Sequence, residues 1–216
     1  MVFAILVPAL LLSLTLHEFA HARIALRFGD PTALQAGRVT LNPLRHLDPL
    51  GTILLLLVGF GWAKPVPVNP YNLHPRRMGQ VMVSLAGPLS NLCLAILAGC
   101  LLKIVFSVIS NGAESQLTEF IGLALIYLMT INLVLFTFNL IPLFPLDGHH
   151  IVREMLPVGK QADFMQWQMK YGMWGLVLLL AGPGIFSQIL QRPMPDPLHW
   201  LLNIVMTNTT HMLGLM

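Results

Sequence analysis

The chain has 216 residues, of which 56% are hydrophobic and only 10% are charged, and its mean hydropathy is +0.73. A soluble domain of this size carries about 25% charged residues, so the composition excludes an ordinary soluble protein and predicts an integral multi-pass membrane protein. The formal net charge of +3 comes from basic residues scattered between apolar runs, which argues against nucleic-acid binding.

The first predicted helix runs from Met1 to Phe28 and contains the pattern His17-Glu18-Phe19-Ala20-His21. Four residues of an α-helix turn through about 400°, so the two imidazoles lie about 40° apart on one face and can bind one metal ion. Glu18 lies beside them and can accept a proton from a water molecule. Because these side chains are costly at bilayer depth, the pattern indicates a functional site that needs a third ligand.

Residues 29–78, between the first and second long helices, are predicted to begin and end on the same side of the membrane. Residues 38–41 (Arg38–Leu41) are predicted to form a short β-strand, and residues 64–70 are extended and rich in proline. Between them, the apolar run of residues 50–62 would measure about 20 Å as a helix. That is short for a hydrocarbon core of about 30 Å and predicts a re-entrant segment.

Two long apolar helices follow, over residues 79–110 and 119–143, and a fourth helix is predicted over residues 171–190. Residues 197–216 are only mildly apolar and are predicted either to form a poor final span or to lie at the membrane interface.

The basic residues predict the orientation. The loops 29–49, 63–78 and 148–170 carry eight of them, whereas the opposite connections, 111–118 and 191–197, carry only Arg192. By the positive-inside rule the first group of loops is cytoplasmic and the N-terminus lies outside.

Several side chains are candidates for the third ligand: Asp147, His149, His150, Asp30, Asp48, His46 and His74. Asp147 is favoured because it follows a proline-broken helix end beside Gly148, where a carboxylate can turn inward. A re-entrant course of residues 50–62 also keeps Asp147 on the same side of the membrane as His21, whereas a full span there would place it on the opposite side.

Taken together, His17-Glu18-xx-His21 in an apolar helix, Gly87-xxx-Asn91, Asn139 and Leu146-Asp147-Gly148 resemble the site-2 protease family of intramembrane zinc metalloproteases. The resemblance covers about residues 1–155, and it is closest to the compact members that lack PDZ and CBS domains. It implies an all-α polytopic membrane protein, with a three-helix catalytic core in residues 1–155 and one or two C-terminal membrane helices in residues 156–216. The re-entrant segment and short cytoplasmic β-strands complete the expected fold.

The resemblance also implies roles for residues. His17, His21 and Asp147 would bind Zn²⁺, Glu18 would be the general base, and Asn91 and Asn139 would contact either the metal ligands or the substrate. Residues 38–41 and 66–69 resemble the sheet edge on which this family is thought to stretch its substrate.

The expected partners are transmembrane protein substrates and the lipid bilayer, with room for a regulatory membrane partner or a homo-oligomer. The expected location is a prokaryotic cell membrane, with the active site towards the cytoplasm.

Two other functions fit part of the pattern. A metal-ion transporter would also place histidine and aspartate in the membrane, although it has no need of Glu18 as a base and no inverted repeat is evident. A non-proteolytic protein that binds membrane partners could keep the fold, although it would not need the complete set of catalytic residues.

Overall fold

The computed structural model describes residues 2–58, 62–110, 112, 115–190, 203 and 207. This part of the chain is helical and contains no β-strand. Its α-helices are α1 (Val2–Arg27), α2 (Thr32–Gln35), α3 (Pro49–Val58), α4 (Arg76–Ser110), α5 (Gln116–Asn139), α6 (Asp147–Met155), α7 (Val158–Trp167) and α8 (Met173–Leu190). A 3-10 turn covers Pro43–Arg45, and a π-helix, Gln168–Gly172, joins α7 to α8.

Three of the described helices are long and apolar enough to cross a membrane, namely Ala4–Arg27 within α1, α4 and α5. The prediction of an all-α, polytopic membrane protein is therefore confirmed. Helix α5 begins with a capping box between Ser115 and Thr118. It ends at Asn139, a few residues earlier than predicted, because Pro142 lacks the N–H group that a further turn requires.

Helix α4 is the centre of the bundle and packs against α1, α5 and α6. Its contact with α5 is built on the fully buried Ala95, Ala98 and Leu133, together with Met129. Small side chains at such a contact let two helices approach closely, which is how helices associate in a bilayer. The tight packing holds the side chains of three helices in fixed positions near the middle of the bundle.

The start of α4 lies beside the end of α1. The His74 N–H donates to the Phe28 carbonyl at 2.8 Å, and Leu73 is fully buried against Ala25 and Val83. The start of α4 is therefore held against the end of α1. The predicted re-entrant course of residues 50–62 is not supported, since the described part is one helix of about 15 Å and residues 59–61 lie outside the described residues.

The predicted cytoplasmic β-strands are wrong. Residues 39 and 40 form a bend, and neither residues 38–41 nor residues 66–69 form a strand. The one β-bridge in the described part of the chain joins Leu47 to Ala63. Prolines at positions 65, 67 and 70 remove the N–H donors that a ladder needs. The Arg38 guanidinium also donates hydrogen bonds to the carbonyl groups of Lys64 and Pro65. These two carbonyl groups are therefore not free to accept from a neighbouring strand.

Residues 148–170, predicted to be a loop, are almost entirely helical. Helix α8 corresponds to the predicted fourth helix. The predicted final segment, residues 197–216, lies outside the described residues apart from positions 203 and 207, and the boundary at residue 155 stays a prediction.

Asp30 ties the loop after α1 to the segment that precedes α4. Its fully buried carboxylate accepts hydrogen bonds from the Thr32 N–H (3.1 Å) and hydroxyl (2.5 Å), from the Asn69 N–H (2.7 Å) and from Nδ2 of Asn72 (3.0 Å). Burial raises the pKa of Asp30, but these hydrogen bonds outweigh it and hold the pKa below its ordinary value.

Asp30→Asn is expected to lower the free energy of unfolding by about 1.5–3 kcal/mol at neutral pH, because it removes charge-assisted hydrogen bonds. Since the folded pKa is depressed, this contribution is present above the unfolded pKa of about 3.9 and is lost as the pH falls through the folded value. Thermal unfolding of the unmodified chain and of Asp30→Asn, in detergent between neutral and acid pH, measures the difference in stability. A difference that stays constant down to acid pH would contradict the account.

Candidate metal centre

Two imidazoles and a carboxylate converge between α1 and the start of α6. Nε2 of His17 lies 3.0 Å from Nε2 of His21, and Oδ2 of Asp147 lies 3.2 Å from the first and 3.3 Å from the second. Both histidines are buried, and Asp147 is largely buried. These three residues are the group in the described part of the chain whose ligand atoms are close enough together to bind a metal ion.

The size of this triangle fits zinc. Zinc bonds of about 2.0–2.1 Å in tetrahedral geometry place two ligand atoms about 3.3 Å apart. The donor set also fits, because two imidazoles and one carboxylate leave a fourth position open, as catalytic zinc sites do. Oδ2 of Asp147 is buried and has no hydrogen-bond donor, which is what a metal-ligating oxygen requires.

The opposite nitrogen of each imidazole is engaged outside the triangle. Nδ1 of His21 lies 2.7 Å from the Val83 carbonyl oxygen, which can only accept, so Nδ1 carries the proton. Nδ1 of His17 lies 2.6 Å from Oδ1 of Asn91 and donates in the same way. In neutral imidazoles both Nε2 atoms are then acceptors, and three acceptors that face one another call for a cation between them.

A buried hydrogen-bond chain fixes the orientation of Asn91. Asn132 donates from Nδ2 to the Leu128 carbonyl and to the Ser13 hydroxyl, each at 2.8 Å, so its Oδ1 must accept. That oxygen accepts from Nδ2 of Asn91 at 2.8 Å, which leaves Oδ1 of Asn91 for His17. The chain links α1, α4 and α5 to the imidazole of His17, and the side chains of Ser13, His17, Asn91 and Asn132 are all buried.

Sequence reasoning missed Asn132 and Ser13. The available signal was a lone amide within the apolar run of α5, since a polar side chain at bilayer depth usually has a partner on another helix. The hydrogen bond between Asn132 and Asn91 cannot be predicted from one sequence, because the two residues are 41 positions apart.

Gly87 is required by the close approach of α4 to both histidines. A Cβ atom there would lie 2.6 Å from Nε2 of His17 and closer still to Nε2 of His21. Real Cβ atoms do not make such contacts, so any side chain would fill the space between the two nitrogens. Gly87 thus forms one wall of the metal site by having no side chain.

Gly148 positions Asp147 in a comparable way. A Cβ atom at Gly148 would lie 2.5 Å from the Ile141 carbonyl oxygen and closer still to that of Leu140. The start of α6 therefore packs directly on the chain that leaves α5. Asp147, the first residue of α6, is held facing α1 by this contact.

Glu18 is buried beside the metal site and is tied to the extended segment. Its Oε2 accepts a hydrogen bond of 3.0 Å from the Val66 N–H. Arg38, also buried, donates to the carbonyl groups of Lys64 and Pro65 and so holds the chain just before Val66. Burial lowers the pKa of Arg38, and the nearby charge of Glu18 opposes that shift.

The other candidate ligands have different surroundings. Asp30 holds a loop, Asp48 accepts from the Gly51 N–H at the start of α3, and both ring nitrogens of His46 face Arg38 and Thr40. His74 is exposed. His149 and His150 lie against each other, with ring centroids 3.8 Å apart, and do not join the group of three.

Asn139, unlike Asn91, is not joined to the metal ligands by a hydrogen bond. Its Nδ2 donates to the Leu135 carbonyl of its own helix at 2.9 Å, and within the described part of the chain it makes no hydrogen bond to His17, His21 or Asp147. A role in substrate contact stays a prediction.

Asn91→Ala is expected to weaken zinc binding about 10- to 100-fold, because His17 loses the partner that sets its tautomer and orientation. Asn139→Ala is the matched control, since among the described residues its amide bonds to its own helix and not to the metal centre. Competition with a chelator of known affinity measures the zinc affinity of the Asn91→Ala and Asn139→Ala chains. Equal zinc affinity in the Asn91→Ala chain and the unmodified chain would contradict this assignment.

Comparison with known proteins gives an independent test of the resemblance. The family model "Peptidase family M50" matches residues 5–182. The protein named "Putative zinc metalloprotease YwhC" from Bacillus subtilis is 46% identical over 82% of this chain and 80% of its own length. Two proteins named "Putative zinc metalloprotease Rip2" are also similar. The one from Mycolicibacterium smegmatis is 32% identical over 85% of this chain and 69% of its own length, and the one from Mycobacterium tuberculosis H37Rv is 34% identical over 83% and 68%.

No solved structure matches the chain. The family model spans most of the chain, including every residue of the candidate metal centre, and the similarity to YwhC extends over most of both chains. The chain therefore belongs to peptidase family M50, the site-2 protease family.

Proposed function

We propose that the protein is an intramembrane zinc metalloprotease, which hydrolyses peptide bonds within or near the transmembrane segments of other membrane proteins. The convergence of His17, His21 and Asp147 next to Glu18, inside a bundle of membrane-spanning helices, carries the proposal. In this assignment the three converging side chains bind zinc through Nε2, Nε2 and Oδ2. Membership of family M50 and the names of the similar proteins support the same reaction.

Zinc, when bound, supplies Lewis acidity towards the scissile carbonyl group and water. Glu18 is the general base, which accepts a proton from the attacking water and returns a proton to the leaving amine. Because the Val66 N–H holds Oε2 of Glu18, we assign proton transfer to Oε1. Asn91 and the Val83 carbonyl keep the two imidazoles in the tautomer that binds the metal.

A transmembrane substrate must unwind before its peptide bond can be attacked, because a helix keeps its amide groups within its own hydrogen bonds. We propose that the extended residues 66–69 receive the unwound substrate. Val66 already points its N–H at the general base, and the Val68 amide makes no hydrogen bond to another described residue. A substrate chain paired at Val68 would pass beside Glu18.

We also propose that the metal centre opens towards the cytoplasm of a prokaryotic cell. Cysteine labelling with a membrane-impermeant maleimide, in a Cys93→Ser and Cys100→Ser background, tests the orientation. Leu44→Cys, in the exposed 3-10 turn, should be labelled only in permeabilised cells. Gln116→Cys, at the exposed start of α5, should be labelled in intact cells. The reverse pattern would place the centre on the other side.

The function is tested with the purified chain, reconstituted with a model single-span substrate. Cleavage should stop when a chelator removes the metal and return when Zn²⁺ is added. Zinc uptake into the vesicles, without cleavage, would indicate a transporter. Zinc binding with neither uptake nor cleavage would indicate a non-proteolytic binding protein.

A further inference from the structure

Gln168 is a fully buried glutamine at the start of the π-helix between α7 and α8. A buried side-chain amide needs partners for both its oxygen and its nitrogen. Both partners of Gln168 lie in residues 140–146, the loop between α5 and α6. Its Nε2 donates to the Pro142 carbonyl at 2.7 Å, and its Oε1 accepts from the Phe144 N–H at 2.9 Å.

These two bonds hold the loop that carries Asp147. Phe144 lies three residues before Asp147, and the Leu146 N–H closes the intervening turn on the Leu143 carbonyl at 2.8 Å. Immediately after Asp147, the tight contact of Gly148 with the Leu140 and Ile141 carbonyls fixes the start of α6. The position of the Asp147 carboxylate is therefore set by the loop on one side and by Gly148 on the other.

Close packing at Gly172 lets Gln168 contact this loop. A Cβ atom at Gly172, one turn further on, would lie 2.7 Å from Oε1 of Gln168 and 2.9 Å from Cβ of Phe144. Only glycine fits at that distance. The π-helical turn itself is uncommon, and such turns are frequent at functional sites.

We propose that Gln168 is a positioning residue for the metal centre: through Pro142 and Phe144 it holds the loop in the conformation that presents Asp147 to His17 and His21. The C-terminal helices are then part of the metal centre and not a separate unit added to residues 1–155. The inference rests on the assignment of Asp147 as the third zinc ligand.

The test compares zinc affinity, by chelator competition, in the full-length unmodified chain and in Gln168→Leu, Gln168→Glu and Gln161→Leu. Gln168→Leu should weaken zinc binding about 10-fold or more and lower kcat while KM stays unchanged. Gln168→Glu keeps an acceptor for the Phe144 N–H, but once ionised it sets a carboxylate oxygen against the Pro142 carbonyl, so zinc binding measured at alkaline pH should weaken there as well. Gln161→Leu, the matched control, loses a bond from Nε2 to the Leu156 carbonyl, its one hydrogen bond among the described residues, and should leave zinc affinity unchanged.

The electronic absorption spectrum of the cobalt-substituted chain supplies a second readout, which should shift in Gln168→Leu because the geometry of the ligands changes. A folded Gln168→Leu chain with unchanged zinc affinity and an unchanged cobalt spectrum would overturn the inference. An equal loss of affinity in Gln161→Leu would overturn it as well. If Gln168→Leu does not fold, Gln168→Glu decides: weakened zinc binding supports the inference, and unchanged binding overturns it.

Asp147→Ala, measured alongside, separates this inference from the proposal on which it rests. Unchanged zinc affinity in Asp147→Ala would overturn the ligand assignment and the inference with it. Weakened binding in Asp147→Ala, together with unchanged binding in Gln168→Leu, would overturn the inference alone.

Discussion

Glu18→Gln is expected to lower kcat for peptide-bond hydrolysis about 10²- to 10⁴-fold while zinc stays bound. The amide is close in shape to the carboxylate, and its oxygen can still accept the hydrogen bond from the Val66 N–H. It cannot take a proton from water at neutral pH, so the general base is lost. Neither His17, His21 nor Asp147 depends on Glu18 for a hydrogen bond, so the metal centre is expected to survive.

Cleavage rates and zinc content of the same purified samples measure this effect. Glu119→Gln, a change of the same type in the exposed first turn of α5, is the control for loss of one carboxylate. Its rate should match that of the unmodified chain. Undiminished cleavage by Glu18→Gln would exclude the residue as the base.

Gly87→Ala is expected to abolish stoichiometric zinc binding and, with it, cleavage. The new methyl group would lie between Nε2 of His17 and Nε2 of His21, where it excludes the metal or forces α4 away from α1. In a close-packed bundle either outcome separates the ligands.

Gly122→Ala is the matched control, because Gly122 is also a buried glycine of a spanning helix. A Cβ atom there would meet only Cγ1 of Val105, at the ordinary contact distance of 3.7 Å. Zinc content and thermal unfolding of both variants measure the effect. A Gly87→Ala chain that binds one zinc per molecule would show that the space beside the histidines is larger than the structure indicates.

The two histidines could be predicted because helical geometry alone puts residues four apart on one face. Asp147 could be favoured because its Pro-rich, glycine-flanked surroundings and the charge-based topology agree. The structure brings these three residues together. Helical periodicity therefore predicted the two histidines, and the sequence around Asp147, together with the family resemblance, predicted the third residue.

Residues that act across long stretches of sequence were not predictable in this way. Asn132 and Gln168 look like ordinary amides until the folded chain shows what each one bonds to. The partners of Gln168 lie 24 and 26 positions away, in a loop with no periodic pattern. One sequence offers no signal for such a pairing.

The strand predictions failed for a different reason. The sequence predicted a strand at residues 38–41, and the family resemblance implied a sheet edge at residues 66–69, but the prolines at positions 65, 67 and 70 leave that part of the chain without a ladder. Side chains from elsewhere, Arg38 and Glu18, then take hydrogen bonds that a neighbouring strand would have made. Side-chain hydrogen bonds can thus help to hold a segment that has no ladder.

X-ray absorption at the zinc edge of the purified, unmodified chain tests the central claim most directly. The account predicts one zinc per chain, bound by two imidazole nitrogens and carboxylate oxygen at about 2.0–2.2 Å. Sulfur at about 2.3 Å would contradict it, because it would implicate Cys93 or Cys100, which lie on α4. Absence of zinc from a folded chain, even after incubation with Zn²⁺, would contradict it as well.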